Sequence, residues 1–178
     1  MEHTPATTAK PAMDDDTLAA IREVFNLVRA GDSERLARLV QQGLPVNFRN
    51  EKGDSLIMLA SYHGHLDTAR VLLAGGADPN VANDQGQTPL AGVAYKGFLD
   101  IAELLLAHGA AVDGNSPDGK TPLMMAAMFN RTAVLALLLA HGANAAAVDS
   151  RGMTALSLAA SMGAQETLAL LQAGATPS

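Results

Sequence analysis

Asp84-Gln85-Gly86-Gln87-Thr88-Pro89-Leu90 is answered 33 residues later by Pro117-Asp118-Gly119-Lys120-Thr121-Pro122-Leu123. The same interval separates Gly53 from Gly86 and Gly119 from Gly152. A period of this length, held three times in succession, means a stack of near-identical units rather than one irregular core. Glycine at these positions supplies the positive φ of a tight turn. In three units a Thr follows (Thr88, Thr121, Thr154), placed to cap a helix, and Pro89 and Pro122 are pre-set for its first position.

Working outward, four segments superpose: residues 50–82, 83–115, 116–148 and 149–178. Each reads as a turn, a short first helix and a leucine-bearing second helix. The first helix stops at Gly64, Gly97, Asn130 and Gly163. Three glycines and an asparagine at one register position point to a left-handed backbone there. The second helices carry Val71-Leu72-Leu73, Leu104-Leu105-Leu106, Leu137-Leu138-Leu139 and Leu168 with Leu170-Leu171. They close at Gly76-Ala77, Gly109-Ala110, Gly142-Ala143 and Gly174-Ala175. The last pair falls one residue short of the period, so the terminal unit is irregular.

Upstream, residues 17–49 show helical apolar spacing (Leu18, Ile21, Val24, Phe25, Val28, then Leu36, Leu39, Val40) broken at Ala30-Gly31-Asp32. Arg22, Glu23, Arg29, Glu34, Arg35 and Arg38 suit an end unit with one face in water, as a stack needs to stop growing. Residues 1–16 have little to bury and read as a disordered tail. Asp14, Asp15 and Asp16 favour the N-terminal dipole of the helix that follows.

Composition narrows the function. Apolar residues make up 48%, enough for a core, but aromatics are 3% and Trp is absent. Closely packed helices of Ala, Leu, Val and Met are therefore expected. The net charge of −6 and the lack of a basic cluster argue against nucleic acid and leave room for a basic partner. With no cysteine, disulfides, Cys-zinc sites and thiol catalysis are excluded. No apolar run marks a signal peptide or a membrane span. A monomeric, cytoplasmic protein without membrane insertion is the simplest expectation.

The repeated pattern resembles the ankyrin repeat. Thr88-Pro89-Leu90 and Thr121-Pro122-Leu123 match the family's Thr-Pro-Leu, Gly64-His65 its Gly-His turn, and Gly76-Ala77-Asp78-Pro79-Asn80 its closing motif. The likeness runs from Thr17 to the C-terminus. It implies an all-α ankyrin repeat solenoid, with stacked helix-turn-helix units joined by β-turn or hairpin-like loops. Three departures stand out. Ser55-Leu56 replaces Thr-Pro, which predicts a looser helix start. Gly92 interrupts a first helix, at about 1 kcal/mol relative to Ala. Asn144-Ala145-Ala146 lacks the usual final Asn, which predicts a looser turn into the last unit.

Chemistry is sparse. His63 and His65 flank a glycine, and His108 and His141 share a register, but neither pair brings the three or four converging ligands of a metal site. No nucleophile elbow, phosphate loop or His-Glu-x-x-His is present, so no catalytic residue, metal or cofactor is assigned. Asn130-Arg131-Thr132 forms a glycosylation sequon, better explained by the left-handed turn.

The family resemblance implies protein binding through the turn tips and the concave face of the first helices. In register, that face carries Tyr62-His63, Tyr95-Lys96, Met128-Phe129 and Ser161-Met162. Both tyrosines fall at one position of adjacent repeats, with Met128 and Met162 continuing the line. Tyr is favoured at interface hot spots, and Met also serves as core filler. The tips add Lys52, Asp54, Gln85, Gln87, Asp118, Lys120 and Arg151, acidic first and more basic later. The expected function is non-catalytic binding of a protein partner, as an adaptor or regulator, with a stress pathway as one setting. An inhibitor or immunity protein that blocks a toxic enzyme is the alternative, and a metal or enzyme role using the histidines is the weaker one.

Overall fold

In the computed structural model, which describes residues 14–174, ten α-helices follow one another. They are α1 (Asp15–Ala30), α2 (Ser33–Gln41), α3 (Leu56–Tyr62), α4 (Leu66–Ala74), α5 (Pro89–Lys96), α6 (Leu99–Ala107), α7 (Pro122–Met128), α8 (Thr132–Ala140), α9 (Ala155–Met162) and α10 (Gln165–Gly174). The described residues form no strand, only an isolated antiparallel bridge between Arg49 and Ser55. The inner helices pack in series, α3 on α5, α5 on α7 and α7 on α9. The outer helices α2, α4, α6, α8 and α10 run in a second series behind them.

The periodic apolar residues hold the two layers together. Ile57, Leu90 and Leu123 sit at equivalent inner positions, and Leu72, Leu105 and Leu138 at equivalent outer ones; all six are excluded from water. Ala60, Ala69, Ala94, Ala102, Ala126 and Ala127, also fully buried, let neighbouring backbones approach. Few aromatics are needed because the layers are thin.

Helix boundaries follow side-chain chemistry. Thr88, Thr121 and Thr154 each accept the backbone N–H three residues on. Ser55 does the same for Met58, at 3.2 Å, so α3 starts as firmly as the others despite lacking Thr-Pro. The hydroxyl alone supplies the cap, worth about 1 kcal/mol. Helix α1 begins at Asp15, two residues ahead of the expected Thr17, because the Asp14 carboxylate accepts the Thr17 N–H at 2.7 Å. Residues 1–13 of the proposed tail, like Ala175 of the closing pair, lie outside the described residues.

Between units the chain forms projecting turns. The side chains of Asn50, Asn83 and Asp149 each accept two backbone N–H groups of their own turn, and those of Lys52 and Asp54 meet Asn50 at 2.9 Å. Adjacent turns join where Asp84 N–H donates to the Lys52 carbonyl (3.1 Å) and Ser150 N–H to the Asp118 carbonyl (2.8 Å). The equivalent donor between them is missing because Pro117 has no N–H.

A second ladder runs between the unit ends. The Asn47 amide donates to the Gly76 carbonyl and the Asn80 amide to that of Gly109, while Asp113 accepts the Asn144 N–H. The turn at Asn144-Ala145-Ala146 is formed as well, with Ala146 N–H donating to the Asn144 side chain at 3.0 Å. Losing the final Asn therefore removes a rung toward the next unit but does not loosen this turn.

Candidate functional site

The inner helices and projecting turns wall an elongated groove of about 1120 Å³. Eleven residues expected from the sequence line it: Lys52, Asp54, Tyr62, His63, Gln85, Gln87, Tyr95, Asp118, Lys120, Met128 and Phe129. Lys96, Arg151 and Met162 do not. Arg151 folds back on the buried Asp149 carboxylate (3.1 Å), and Met162 closes α9 beyond the groove with 53% of its surface exposed. Met58, Leu59, Met125, Gly92 and Pro117 also line the groove and were missed. Helical spacing could have found two of these, since Leu59 and Met58 lie three and four residues before Tyr62 on one face.

An aromatic row forms the floor. The rings of Tyr62 and Tyr95 stack nearly parallel, 5° apart in plane, with centroids at 6.5 Å. Tyr95 then meets Phe129 edge to face at 4.5 Å. Both geometries are favourable for aromatic pairs. Tyr62 keeps 43% of its surface exposed. Gly92 lies beneath its ring, where a Cβ would stand 3.4 Å from Tyr62 Cδ2, at ordinary van der Waals contact. The in-register residue after Tyr95 is Met128, but Met128 packs partly against the core and its neighbour Phe129 carries the row onward. Phe129 is the C-cap of α7, whereas the equivalent Lys96 is still inside α5.

Lys96 holds its ammonium over these rings, 4.5 Å from the Tyr62 centroid and 5.8 Å from that of Tyr95. Next to it, the ring of His63 lies 6.0 Å from that of His65. His65 Nε2 is 2.8 Å from the Arg29 carbonyl of the preceding unit. The Gly-His histidine thus ties two units together, and Arg131, at the equivalent position two repeats later, does so by donating from Nε to the Tyr95 carbonyl (3.0 Å).

The His63 imidazole is held below its ordinary 6.5, by partial desolvation first and then by the charges of His65, Arg29 and Lys96. Since the unfolded chain takes up this proton first, the contribution to stability is complete above about pH 6.5 and declines as pH falls through that value. An NMR titration should place the His63 midpoint below 6.5. Lys96→Ala should raise it only part of the way, because desolvation remains. A midpoint at or above 6.5 in the parent protein would contradict this electrostatic picture.

The turn-side carboxylates are engaged. Asp54 accepts the side-chain amides of Asn50 and Asn83, and Asp84 pairs with Arg49 at 3.0 Å. Lys120 and Ser116 both hydrogen-bond Asp118 and pull its carboxyl down to about 2. Along the tips, cations therefore offset Asp84 and Asp118 locally, while Asp54 is held by neutral amides. Among the described residues, no group of three or more His, Asp or Glu is arranged to hold a metal ion. Nor is any described helix long and apolar enough to cross a membrane.

Two layers of paired helices, projecting turns and a groove along the inner face define a helical-repeat binding scaffold. The family pattern described as ankyrin repeats (3 copies) matches residues 24–116 and again 94–178, and the chain belongs to the ankyrin repeat family. It is also 59% identical, over 62 residues, to a Pseudomonas aeruginosa protein named as an ankyrin repeat protein. That match covers 35% of this chain and 36% of the relative, so the aligned part spans about a third of the relative's length. Ankyrin repeats are generally protein–protein interaction modules and typically non-catalytic.

Proposed function

We propose that this protein is a non-catalytic docking module that holds a segment of a partner protein in the groove. Tyr62, Tyr95 and Phe129 are the anchors, and Lys52, Gln85, Gln87 and Lys120 contribute to selectivity. One observation carries this reading: both tyrosines and one of the four phenylalanines of an aromatic-poor chain meet in a single row across three repeats, on a concave surface rather than in the core. A preformed row of this kind adds contact area without ordering a loop, which favours affinity.

The test is affinity capture from the native host with the parent protein and the Tyr62→Ala/Tyr95→Ala variant, followed by affinity measurement on the captured protein. Each tyrosine is expected to weaken binding by about 30-fold, the equivalent of roughly 2 kcal/mol at a hot spot. The variant should keep its helical circular dichroism. Equal capture by both proteins would refute the groove as the docking face. A partner held without loss of its own activity fits an adaptor or regulator. A one-to-one complex that silences an enzyme would assign the inhibitor role instead.

A further inference from the structure

The chain carries a net charge of −6, yet among the described residues three cations near the ends of α1 and α5 and the start of α8 form no ion pair. Among the described residues, ion pairs join Arg35 to Glu23 and Asp32, Arg49 to Asp84, Lys120 to Asp118, and Arg151 to Asp149. Arg29, Lys96 and Arg131 are in none of them. Asp67 and Asp100, in the first turns of α4 and α6, pair with none of the three. These cations come together across repeats. His63 feels the charges of Arg29, His65 and Lys96, Lys96 lies over Tyr62, and Arg131 hydrogen-bonds the Tyr95 carbonyl.

The carboxylates that line the same groove are committed to Asn50, Asn83, Arg49, Lys120 and Ser116. At the rim of the groove, Lys96 thus adds unpaired positive charge beside the Tyr62 ring, while within it Asp84 and Asp118 are ion-paired and Asp54 is held by two side-chain amides. A basic segment would have to bring cations next to Lys96 and Arg29, where they are repelled. A carboxylate arriving at Lys96 meets an ammonium with no competing anion and an imidazole beside it. Charge complementarity of this kind sets specificity and association rate more than raw affinity.

Building on the docking function proposed above, we infer that the groove takes an acidic peptide segment. Its carboxylates sit on Lys96, His63 and Arg131, and an aromatic or branched apolar side chain lies against Tyr62, Tyr95 and Phe129. This reverses the expectation from net charge alone, which favoured a basic partner. Net charge sums over the whole surface, whereas a bound segment meets only the charges along its own path, here Lys96 and His63 beside the aromatic row.

The test selects a random peptide display library against the full chain, against Tyr62→Ala/Tyr95→Ala, and against Lys96→Glu and Lys96→Arg. Selected peptides are then measured by fluorescence polarisation, with a labelled single-stranded oligonucleotide as control. Expected are sequences rich in Asp and Glu around an aromatic or Leu, absent from the tyrosine variant. They should be weakened about tenfold by Lys96→Glu, restored by Lys96→Arg, and weakened by added salt as screening predicts. Tyrosine-dependent peptides that are neutral or basic, or that ignore Lys96→Glu, would overturn the acidic partner and leave the groove as a docking site. Oligonucleotide binding that depends on Lys96 would overturn the peptide assignment. Selection of nothing that depends on the tyrosines would overturn both readings.

Discussion

Leu123→Ala lowers the unfolding free energy by about 2–5 kcal/mol, the range for a large-to-small change in a packed core. Leu123 has no exposed surface and lies in α7, which packs on both α5 and α9. A domain stabilised by roughly 5–15 kcal/mol loses a large fraction of its stability through that one cavity. Topology makes the effect uneven. Each unit of a repeat stack touches only its neighbours, so weakening an interior unit strips support from those beyond it. Urea unfolding gives the magnitude, and amide exchange should accelerate in α7–α10 before α1–α4. A change within the roughly 0.5 kcal/mol typical of surface sites would contradict the placement of Leu123 in the core.

Asn130→Val is the second severe substitution. Asn130 is the one described non-glycine residue with positive φ, at 56°. Forcing a β-branched residue there costs about 1–2 kcal/mol in backbone strain. It also removes the side-chain oxygen that accepts the Thr167 N–H at 3.1 Å, from the next unit. Loss of such a helix cap costs about 0.5–2 kcal/mol, so Asn130→Val should destabilise by about 1.5–4 kcal/mol in all. Asn130→Gly isolates the cap, because glycine accepts the backbone without strain, and should cost about 0.5–2 kcal/mol. Thermal or urea unfolding of the three proteins should rank parent above Asn130→Gly above Asn130→Val. If the glycine variant equals or exceeds the parent, the cap contributes nothing.

Asn130 also marks how far a linear reading reaches. Its left-handed backbone was legible because glycine stands at the same register in the other three repeats. Its hydrogen bonds to Thr167, which in turn donates from Oγ1 to the Ala127 carbonyl (2.8 Å), were not. Thr167 is shared with the first full repeat (Thr68) but not with Ile101 or Val134, so no periodic signal announces it. Ser55 shows the opposite case: its departure from Thr-Pro suggested a weaker start, yet a hydroxyl caps α3 as well as threonine caps the others. Register reveals a position's role, while the chemistry of the atom filling it decides whether that role survives substitution.

The 33-residue period by itself determined the architecture. It set the helix order, the left-handed stops, the leucine rows of the core and the shared register of Tyr62 and Tyr95, while the concave face came from the family resemblance. Such inferences hold because stacking sets each residue beside its own counterpart, one unit along. Tertiary structure decided what lies off register: Phe129 rather than Met128 against Tyr95, His65 on the Arg29 carbonyl, and Arg131 on that of Tyr95. Those contacts depend on where each helix ends and how far a side chain reaches across the gap between units. The same geometry pairs Lys120 and Arg151 at the tips and leaves Lys96, beside the aromatic row, without an ion pair, a distinction that composition averages away.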